Sequence, residues 1–159
     1  MVLCALETLL TEKEMPTVSK IQEILLQTVW QGRMEEVLPD IFIDGAHNEN
    51  GICAFLESVK KAQGTKKSLL FTVVSDKDYK TIIEKIVDSQ LFDEIVITKL
   101  DNSRALDTQE ILREFVKCGR KEIEVIDNVE HAFSTMADRK AIGEQIFVAG
   151  SLYLVGRIK

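Results

Sequence analysis

From Asp40 to the C-terminus, short apolar runs alternate with longer amphipathic stretches. The runs are continuous rather than alternating, as in strands that are covered on both faces. We predict strands at residues 41–43, 69–74, 95–98, 123–126 and 146–149, and helices near 50–63, 78–89, 107–117 and 128–140. The connections are long enough for crossovers between parallel strands. The pattern therefore predicts a Rossmann-like α/β fold, in which a doubly wound, mainly parallel sheet carries helices on both faces.

The chain before Asp40 follows a different pattern, with two short amphipathic helices. The first is predicted over residues 2–10, and the second carries Ile21, Ile24, Leu25 and Val29 on one face. Thr17 or Ser19 can cap this second helix. Two helices of this length bury little surface alone, so their apolar faces need a partner.

Glycine and proline then bracket a short extended piece, which we interpret as a linker followed by an edge strand. We place a domain boundary between Gln27 and Gly32. The predicted organisation is a helical tail at residues 1–29 and one α/β domain at residues 30–159.

Composition limits the partners of the chain. Its 159 residues, 45% of them hydrophobic, can bury one ordinary core. A net charge of −6 and a pI near 5.0 argue against nucleic acid as the main partner, because phosphate backbones are bound by basic surfaces. No apolar run has the length of a membrane span, and the first residues lack the features of a signal peptide. We expect a soluble, cytoplasmic protein that binds neither nucleic acid nor membranes.

The cysteines and histidines give little sign of metal chemistry. Cys4, Cys53 and Cys118 are odd in number, far apart and outside any C-x-x-C pair, which favours reduced thiols in the core over disulfides or zinc. His131 lies in an ordinary helix pattern, and we interpret it as a structural or surface residue. With no second histidine or cysteine nearby in sequence, we expect no metal site in this chain.

The strand at 41–43 ends on Asp44 and is followed by small and polar residues. Past this turn a helix begins, with Asn48 or Asn50 as its N-cap. Ligands of open α/β sheets collect at such turns. Gly45 would let the backbone approach a ligand closely, beside the acid of Asp44 and the imidazole of His47.

Three further strand ends carry polar residues. They are Ser75-Asp76-Lys77-Asp78, the stretch from Lys99 to Arg104, and Gly150-Ser151. Because the carboxyl ends of parallel strands share one edge of the sheet, we expect these loops to converge near Asp44. The residues of the first loop are most simply a solvated surface, or a surface that docks on another domain.

Four short motifs now carry a family resemblance: Gly32-Arg33-Met34-Glu35, Asp44-Gly45-Ala46-His47-Asn48, Asp76-Lys77-Asp78 and Gly150-Ser151-Leu152-Tyr153-Leu154-Val155-Gly156. In this order and near these spacings they resemble the C-terminal domain of folylpolyglutamate synthase/dihydrofolate synthase, a branch of the Mur ligase superfamily. The resemblance covers roughly residues 30–159. The two opening helices resemble the tail of that family's central ATPase domain. Glu49 departs from the family, which usually has proline there.

The resemblance implies an ATP-dependent ligase. In that family a folate or dihydropteroate carboxylate is phosphorylated by ATP with Mg²⁺, and the amine of L-glutamate then attacks the acyl phosphate. The phosphate-binding loop and the metal ligands belong to the central domain, and this sequence contains no G-x-x-x-x-G-K-[ST] motif. The chain therefore looks like one half of an active site, and we expect it to be catalytically silent without its P-loop domain.

The resemblance also assigns roles, each with a simpler alternative. Arg33 and Asp44 would contact ATP, although Arg33 could be a solvated arginine and Asp44 could cap its own turn. His47 would lie near the reacting phosphate and the glutamate, where it could stabilise developing charge; otherwise it is a packed imidazole. Ser151 would lie beside the glutamate, unless it is only a capping hydroxyl.

Arg104 belongs to a loop that matches the family only loosely. We nevertheless choose it as the residue that grips a glutamate carboxylate, because bidentate arginine is the usual device for that task. Two rival functions stay open. One is another Mur-type amide ligase with a different acceptor, and the other is a non-catalytic nucleotide-binding module.

Overall fold

A computed structural model describes residues 16–27 and 30–159. The predicted helix over residues 2–10, together with Cys4 and Val29, lies outside the described residues. The chain divides into two compact units between Trp30 and Gln31, and the second unit contains the whole described sheet. In the described part of the first unit, helix α1 spans Val18–Gln27.

Helix α1 begins at a threonine cap. The backbone N–H of Lys20 donates to Oγ1 of Thr17 at 3.3 Å, so Thr17 rather than Ser19 is the cap. Val18, Leu25 and Leu26 are exposed apolar side chains on this helix.

The second unit is built on one six-stranded sheet. Its strands are β1 (Glu35–Leu38), β2 (Ile41–Ile43), β3 (Lys66–Phe71), β4 (Glu94–Lys99), β5 (Glu124–Asn128) and β6 (Glu144–Ala149). The spatial order is β1-β2-β6-β3-β4-β5. Only the edge strand β1 runs antiparallel to its neighbour, and every other pairing is parallel. The predicted fold class and the predicted edge strand are confirmed.

Helices cover both faces of this sheet. They are α2 (Glu49–Lys61), α3 (Tyr79–Ser89), α4 (Thr108–Lys117), α5 (Val129–Arg139) and α6 (Leu152–Ile158). One core contains Ile52 of α2, Ile82 of α3 and Ile111 of α4, and the other contains Met136 of α5 and Leu154 of α6. The chain thus winds α2, α3 and α4 over one face and α5 and α6 over the other.

Strand β6 is the middle of the core although it is the last strand in the chain. Its Phe147 is fully buried and stacks on Phe42 with ring centroids 5.5 Å apart. The same ring meets Phe55 and Phe92 edge-on, at 6.2 Å each. Burying one such aromatic side chain stabilises a fold by roughly 1.5–3 kcal/mol. The aromatic cluster therefore joins β2, β6 and α2.

The predicted position of β3 is wrong by three residues, since the strand spans Lys66–Phe71 instead of 69–74. Polar residues can begin it because Nζ of Lys66 lies 2.8 Å from Oε2 of Glu94 and 3.0 Å from Oε1 of Glu144. At the other end, Val74 is buried but leaves the parallel ladder and forms an antiparallel bridge with Ala105. The apolar run in the sequence therefore indicates buried residues, and burial continues past the end of β3.

The cysteine prediction needs a correction. Cys53 and Cys118 are free thiols, but Cys53 is exposed, because it lies one position away from the buried face of α2 that Ile52 marks. Cys118 is partly buried, and this burial raises the pKa of its thiol. His131 is exposed on α5.

Candidate functional site

The turn after β2 is fixed by main-chain hydrogen bonds to two distant segments. The N–H of Asp44 donates to the carbonyl of Val148 at 2.8 Å, and that of Gly45 donates to the carbonyl of Gly32 at 2.7 Å. The N–H of Gly150 donates to the carbonyl of Ala46 at 2.9 Å. Three of the four sequence motifs therefore meet here.

The carboxylate of Asp44 continues this bonding. Its Oδ2 accepts from the N–H of Met34 at 2.9 Å, and its Oδ1 accepts from the N–H of Ala46 at 2.8 Å. Nη1 of Arg33 lies 3.6 Å from Oδ1. Asp44 is only 6% exposed. The capping alternative for Asp44 is thus observed. The same carboxylate also holds the backbone of Met34, whose φ of 43° is unusual for a residue other than glycine.

A cavity of about 340 Å³ opens on one side of this turn, and we call it the Arg33 cavity. It is lined by Arg33, Met34, Asp44, Gly51, Ala54, Phe55 and Ser58. The Arg33 side chain is half exposed, so its guanidinium can still meet a ligand. Apolar walls beside one guanidinium suit a ligand with a flat apolar part and an anionic part.

The structure gives Gly45 a packing reason in addition to the close ligand approach that the sequence suggested. A Cβ at this position would overlap the Leu152 side chain, which already fills the space. Gly45 therefore allows α6 to pack against the turn.

His47 turns one ring nitrogen towards the protein backbone. Its Nδ1 lies 2.7 Å from the carbonyl oxygen of Gly45. A carbonyl only accepts, so Nδ1 carries the hydrogen and the neutral ring has its lone pair on Nε2. The ring is partly buried.

Helix α2 begins as the sequence predicts. The N–H of Gly51 donates to Oδ1 of Asn48 at 2.8 Å, so Asn48 is the N-cap and Asn50 is not. Glu49 occupies the first helical position, and its carboxylate lies 3.2 Å from Nζ of Lys85. The absence of proline at Glu49 leaves the helix start intact.

The loops after β3 and β4 are joined to each other. The N–H of Ser75 donates to the carbonyl of Arg104 at 2.9 Å, next to the bridge between Val74 and Ala105. The N–H of Arg104 donates to Oδ1 of Asn102 at 2.9 Å. This pairing brings residues 75–78 beside Arg104, although 28 positions separate Asp76 from it in the chain.

The Arg104 side chain is held from two directions. Nε and Nη2 donate to the two carboxylate oxygens of Asp76, and the Nε distance is 3.3 Å. Nη1 donates to the hydroxyl of Tyr153 at 3.1 Å, and the guanidinium carbon lies 5.7 Å from the centre of the tyrosine ring. The hydrogen bond from Arg104 lowers the pKa of Asp76.

The other acid of this loop has a local structural task. Asp78 caps α3, because its carboxylate accepts from the N–H and the hydroxyl of Thr81. Both acids are exposed, as expected for a solvated or docking surface, and each also holds a neighbouring group.

Ser151 is 1% exposed, and its Oγ accepts from the N–H of Tyr153 at 3.2 Å. The capping alternative is thus observed for Ser151.

A second cavity, of about 370 Å³, lies beside these groups, and we call it the Arg104 cavity. It is lined by His47, Val74, Lys77, Arg104, Ser151, Leu152 and Tyr153. The three side chains that we predicted for one cleft, His47, Arg104 and Ser151, therefore do line one cavity. Sequence reasoning assigned no ligand-binding role to Lys77 or Tyr153, although both stand inside quoted motifs.

The charged residues that line the Arg104 cavity are both cations, Lys77 and Arg104. An ammonium, a guanidinium and an imidazole line it, and none of its lining residues is acidic. Such a lining favours an anionic ligand.

A further cavity, of about 430 Å³, lies between α2 and α3. Lysines, acids and Cys53 line it in a mixture that favours no single kind of ligand. Within residues 16–27 and 30–159, no group of three potential metal ligands comes together. Over the same residues, no helix is long and apolar enough to cross a membrane.

The fold and the two cavities define a Rossmann-like α/β domain with cavities beside the turn after β2. Residues 32–152 match the model of the family described as Mur ligase, glutamate ligase domain. The chain belongs to this family, and the resemblance that the four motifs indicated is confirmed.

Three relatives illustrate the match. The dihydrofolate synthase/folylpolyglutamate synthase of Bacillus subtilis (strain 168) is 26% identical over 138 residues, which are 85% of this chain and 31% of the relative. E. coli FolC in complex with DHPP and ADP superimposes with a TM-score of 0.79 at 16% identity, over 91% of this chain and 34% of that chain.

The third relative is the bifunctional folylpolyglutamate synthase/dihydrofolate synthase of Yersinia pestis, complexed with AMPPNP and Mn ion. It superimposes with a TM-score of 0.77 at 20% identity, over 91% of this chain and 34% of that chain. At these identities the two solved structures establish the fold. The chain spans about a third of the length of the relatives it matches.

Proposed function

We propose that this chain is the C-terminal domain of an ATP-dependent ligase that adds L-glutamate to a folate or dihydropteroate carboxylate through an acyl phosphate. The observation that carries the proposal is the pair of cavities at one sheet edge, with the Asp44–His47 turn contributing to both. A two-substrate ligation needs such an arrangement, because it must bring a nucleotide-activated carboxylate and an amine together.

The Arg33 cavity is the proposed nucleotide side. Arg33 supplies a fixed positive charge for phosphate oxygens. Oδ1 of Asp44 lies near that guanidinium and can help to hold it in place. The matched E. coli structure is a complex with ADP, and the matched Yersinia pestis structure is a complex with AMPPNP and Mn ion, which supports a nucleotide with a metal ion as ligands of this site. The described residues bring no carboxylate cluster together for a metal. We therefore assign the Mg²⁺ ligands and the phosphate-binding loop to the missing central domain.

The Arg104 cavity is the proposed glutamate side. L-Glutamate carries two carboxylates, and the guanidinium of Arg104 and the ammonium of Lys77 can hold them without giving up a proton. Ser151 contributes a hydroxyl that already accepts one hydrogen bond and can donate another. These three side chains would position the nucleophile, which is a contribution of proximity more than of chemistry.

His47 lines the Arg104 cavity and stands on the same turn as Asp44, which lines the Arg33 cavity. Its tautomer fixes what it can do. With Nδ1–H bonded to Gly45, Nε2 can accept a proton from the attacking amine when the ring is neutral. When the ring is protonated, Nε2–H can donate to oxygen on the phosphoryl group as charge develops there. Both tasks act on the chemical step, so His47→Ala should lower kcat as well as raise the KM for glutamate.

Steady-state kinetics of the full-length enzyme test the two sides separately. We expect Arg33→Ala to raise the KM for ATP by about tenfold, and Arg104→Ala to raise the KM for glutamate by a similar factor, since each removes a charged hydrogen-bond donor. Arg139→Ala is the matched control, because this arginine is paired with Glu124 instead of lining either cavity. Equal effects of Arg104→Ala on both substrates would contradict the assignment and indicate a loss of domain closure.

Ser151→Ala belongs to the same experiment, and it should raise the KM for glutamate more than that for ATP. Replacing glutamate by other amino acids tests the alternative that the enzyme is another Mur-type amide ligase. A better turnover with a different amino acid would overturn the glutamate assignment while keeping the reaction class.

The isolated chain should release no ADP in the presence of ATP, folate and glutamate. It holds one half of the proposed site, and phosphoryl transfer depends on the phosphate cradle and the bridging metal of the other half. Glutamate-dependent ADP release by the purified chain would contradict the proposal that a central domain is required.

A further inference from the structure

We propose that Asp76 is a positioning residue that, together with Tyr153, presents one edge of the Arg104 guanidinium to the carboxylate of the amino-acid substrate. The inference deepens the proposed function and rests on it. It differs from the family resemblance, because Arg104 lies in a loop that matches the family only loosely and the motifs assigned no role to Asp76.

A count of hydrogen-bond donors carries the argument. A guanidinium has five N–H groups in one plane. Asp76 takes Nε–H and one N–H of Nη2, and Tyr153 takes one N–H of Nη1. One N–H on each terminal nitrogen then stays uncommitted. We assign the Tyr153 hydroxyl to the Nη1 hydrogen that points away from Nη2. The two remaining donors are then parallel and match the two oxygens of a carboxylate.

The same carboxylate also faces the second cation of the cavity. Nζ of Lys77 lies 3.9 Å from Oδ2 of Asp76, so one acid is the shared counter-ion of Arg104 and Lys77. Asp76 itself does not line the cavity, whereas both cations do. It therefore acts on a ligand only through the groups that it holds.

The backbone keeps this arrangement in register. The N–H of Ser75, next to Asp76, donates to the carbonyl of Arg104, so acid and guanidinium are tied together at the main chain as well as at the side chains. Tyr153 approaches from the start of α6 and contacts the guanidinium with its hydroxyl and its ring face. The arginine is thus braced by two other segments of the chain, the loop at Ser75–Asp76 and the start of α6.

The substitution Asp76→Asn distinguishes a positioning role of Asp76 from a simple effect of its negative charge, because the two predict opposite changes in the KM for glutamate. Asp76→Asn removes a negative charge beside an anion-binding cavity, so an effect of charge alone would lower the KM for glutamate. If Asp76 positions Arg104, the loss of the paired hydrogen bonds frees the guanidinium, and the KM for glutamate rises. The sign of the change therefore decides between the two.

In the full-length enzyme we expect Asp76→Asn to raise the KM for glutamate by about tenfold and to leave that for ATP within twofold, as for the loss of a charged hydrogen bond. Asp76→Glu should recover part of the loss, and Tyr153→Phe should raise the KM by only about threefold because its bond is neutral on one side. Asp101→Asn is the control. It removes the same charge from the loop that carries Arg104, whose side chain bonds to Asp76 and Tyr153 instead of Asp101.

A spectroscopic readout separates this inference from the proposed function. In the chain described here, ¹⁵N NMR of the arginine side chains should show a distinct Nε–H signal for Arg104, assigned by its loss in Arg104→Lys. We expect Asp76→Asn, and not Asp101→Asn, to shift this signal or remove it by solvent exchange. An unchanged signal in Asp76→Asn, or a lowered KM for glutamate in that variant, would overturn the positioning role. If the signal behaves as expected and no variant alters glutamate kinetics, then the glutamate assignment of the proposed function is wrong, although Asp76 does hold Arg104.

Discussion

The turn after β2 and the paired loops after β3 and β4 lie at the same sheet edge but are built differently. The turn is buried and is held by backbone donors, three to carbonyls and two to the Asp44 carboxylate. At the loops, the groups that face the cavity are held by bonds between exposed side chains, such as Arg104 to Asp76 and to Tyr153. One region is part of the fold, whereas the other is a set of side chains attached to it.

This difference separates what a substitution should do in each region. A buried acceptor that serves backbone N–H groups leaves them unsatisfied when it is removed, and such groups are costly in a protein interior. An exposed ion pair contributes between about 0 and 1 kcal/mol to stability. Changes at the turn should therefore lower the free energy of unfolding, and changes at the loops should alter ligand binding on an intact fold.

The largest effect is expected from Gly150→Ala, at the point where β6 meets the turn. Gly150 has a φ of 108°, and a Cβ there would overlap the carbonyl oxygen of Thr72. We expect a loss of more than about 3 kcal/mol in urea unfolding. Gly119→Ala is the matched control, since Gly119 has a φ of 96° and open space around it, so only the backbone cost of about 1 kcal/mol applies. Equal losses in the two variants would show that the overlap is relieved.

Asp44→Ala should follow, with a loss of about 2–3 kcal/mol. It leaves the backbone N–H groups of Met34 and Ala46 without a hydrogen-bond acceptor. The comparison variant is Asp76→Ala, which removes an exposed acid of the loops and should cost less than about 1 kcal/mol. The contrast between turn and loops would fail if Asp76→Ala proved to be the more destabilising of the two.

The smallest effect is a titration. The hydrogen bond from Arg104 lowers the pKa of Asp76, so the pair is present above the ordinary aspartate pKa of about 3.9 and is lost as the pH falls through the lowered value. ¹³C NMR of the Asp76 carboxyl group should show this lowered midpoint. In Arg104→Gln the midpoint should move up towards the ordinary value. An identical midpoint in both proteins would mean that the pair does not form in solution.

Much of this architecture could be predicted from the sequence, because it depends on periodicity and on one topological rule. Continuous apolar runs identified the parallel strands, and the shared carboxyl edge brought His47, Arg104 and Ser151 to one cavity. The end of β3 was misplaced because Val74 is as buried as a strand residue. Burial does not reveal where a ladder stops.

The bonds around Arg104 could not be predicted in the same way. They depend on a bridge between Val74 and Ala105 that brings two loops together, and nothing in the local sequence of either loop specifies its partner. Likewise Gly45 has the composition of a ligand-facing turn, yet the space beside it is taken by Leu152, more than a hundred residues later in the chain. Side-chain contacts between distant segments are decided by packing.

The place of β6 in the sheet has a consequence for the order in which the molecule can assemble. Of the six described strands this one is synthesised last, yet it lies between β2 and β3. Within residues 31–159 it alone links β1-β2 on one side of the sheet to β3-β4-β5 on the other. Until β6 is synthesised, the edges of β2 and β3 stay unpaired and can pair with strands of other chains. The turn at Asp44 also cannot form completely before then, because two of its hydrogen bonds are made with Val148 and Gly150. Such non-local closure is slow, and the proposed site should be among the last parts of the domain to form.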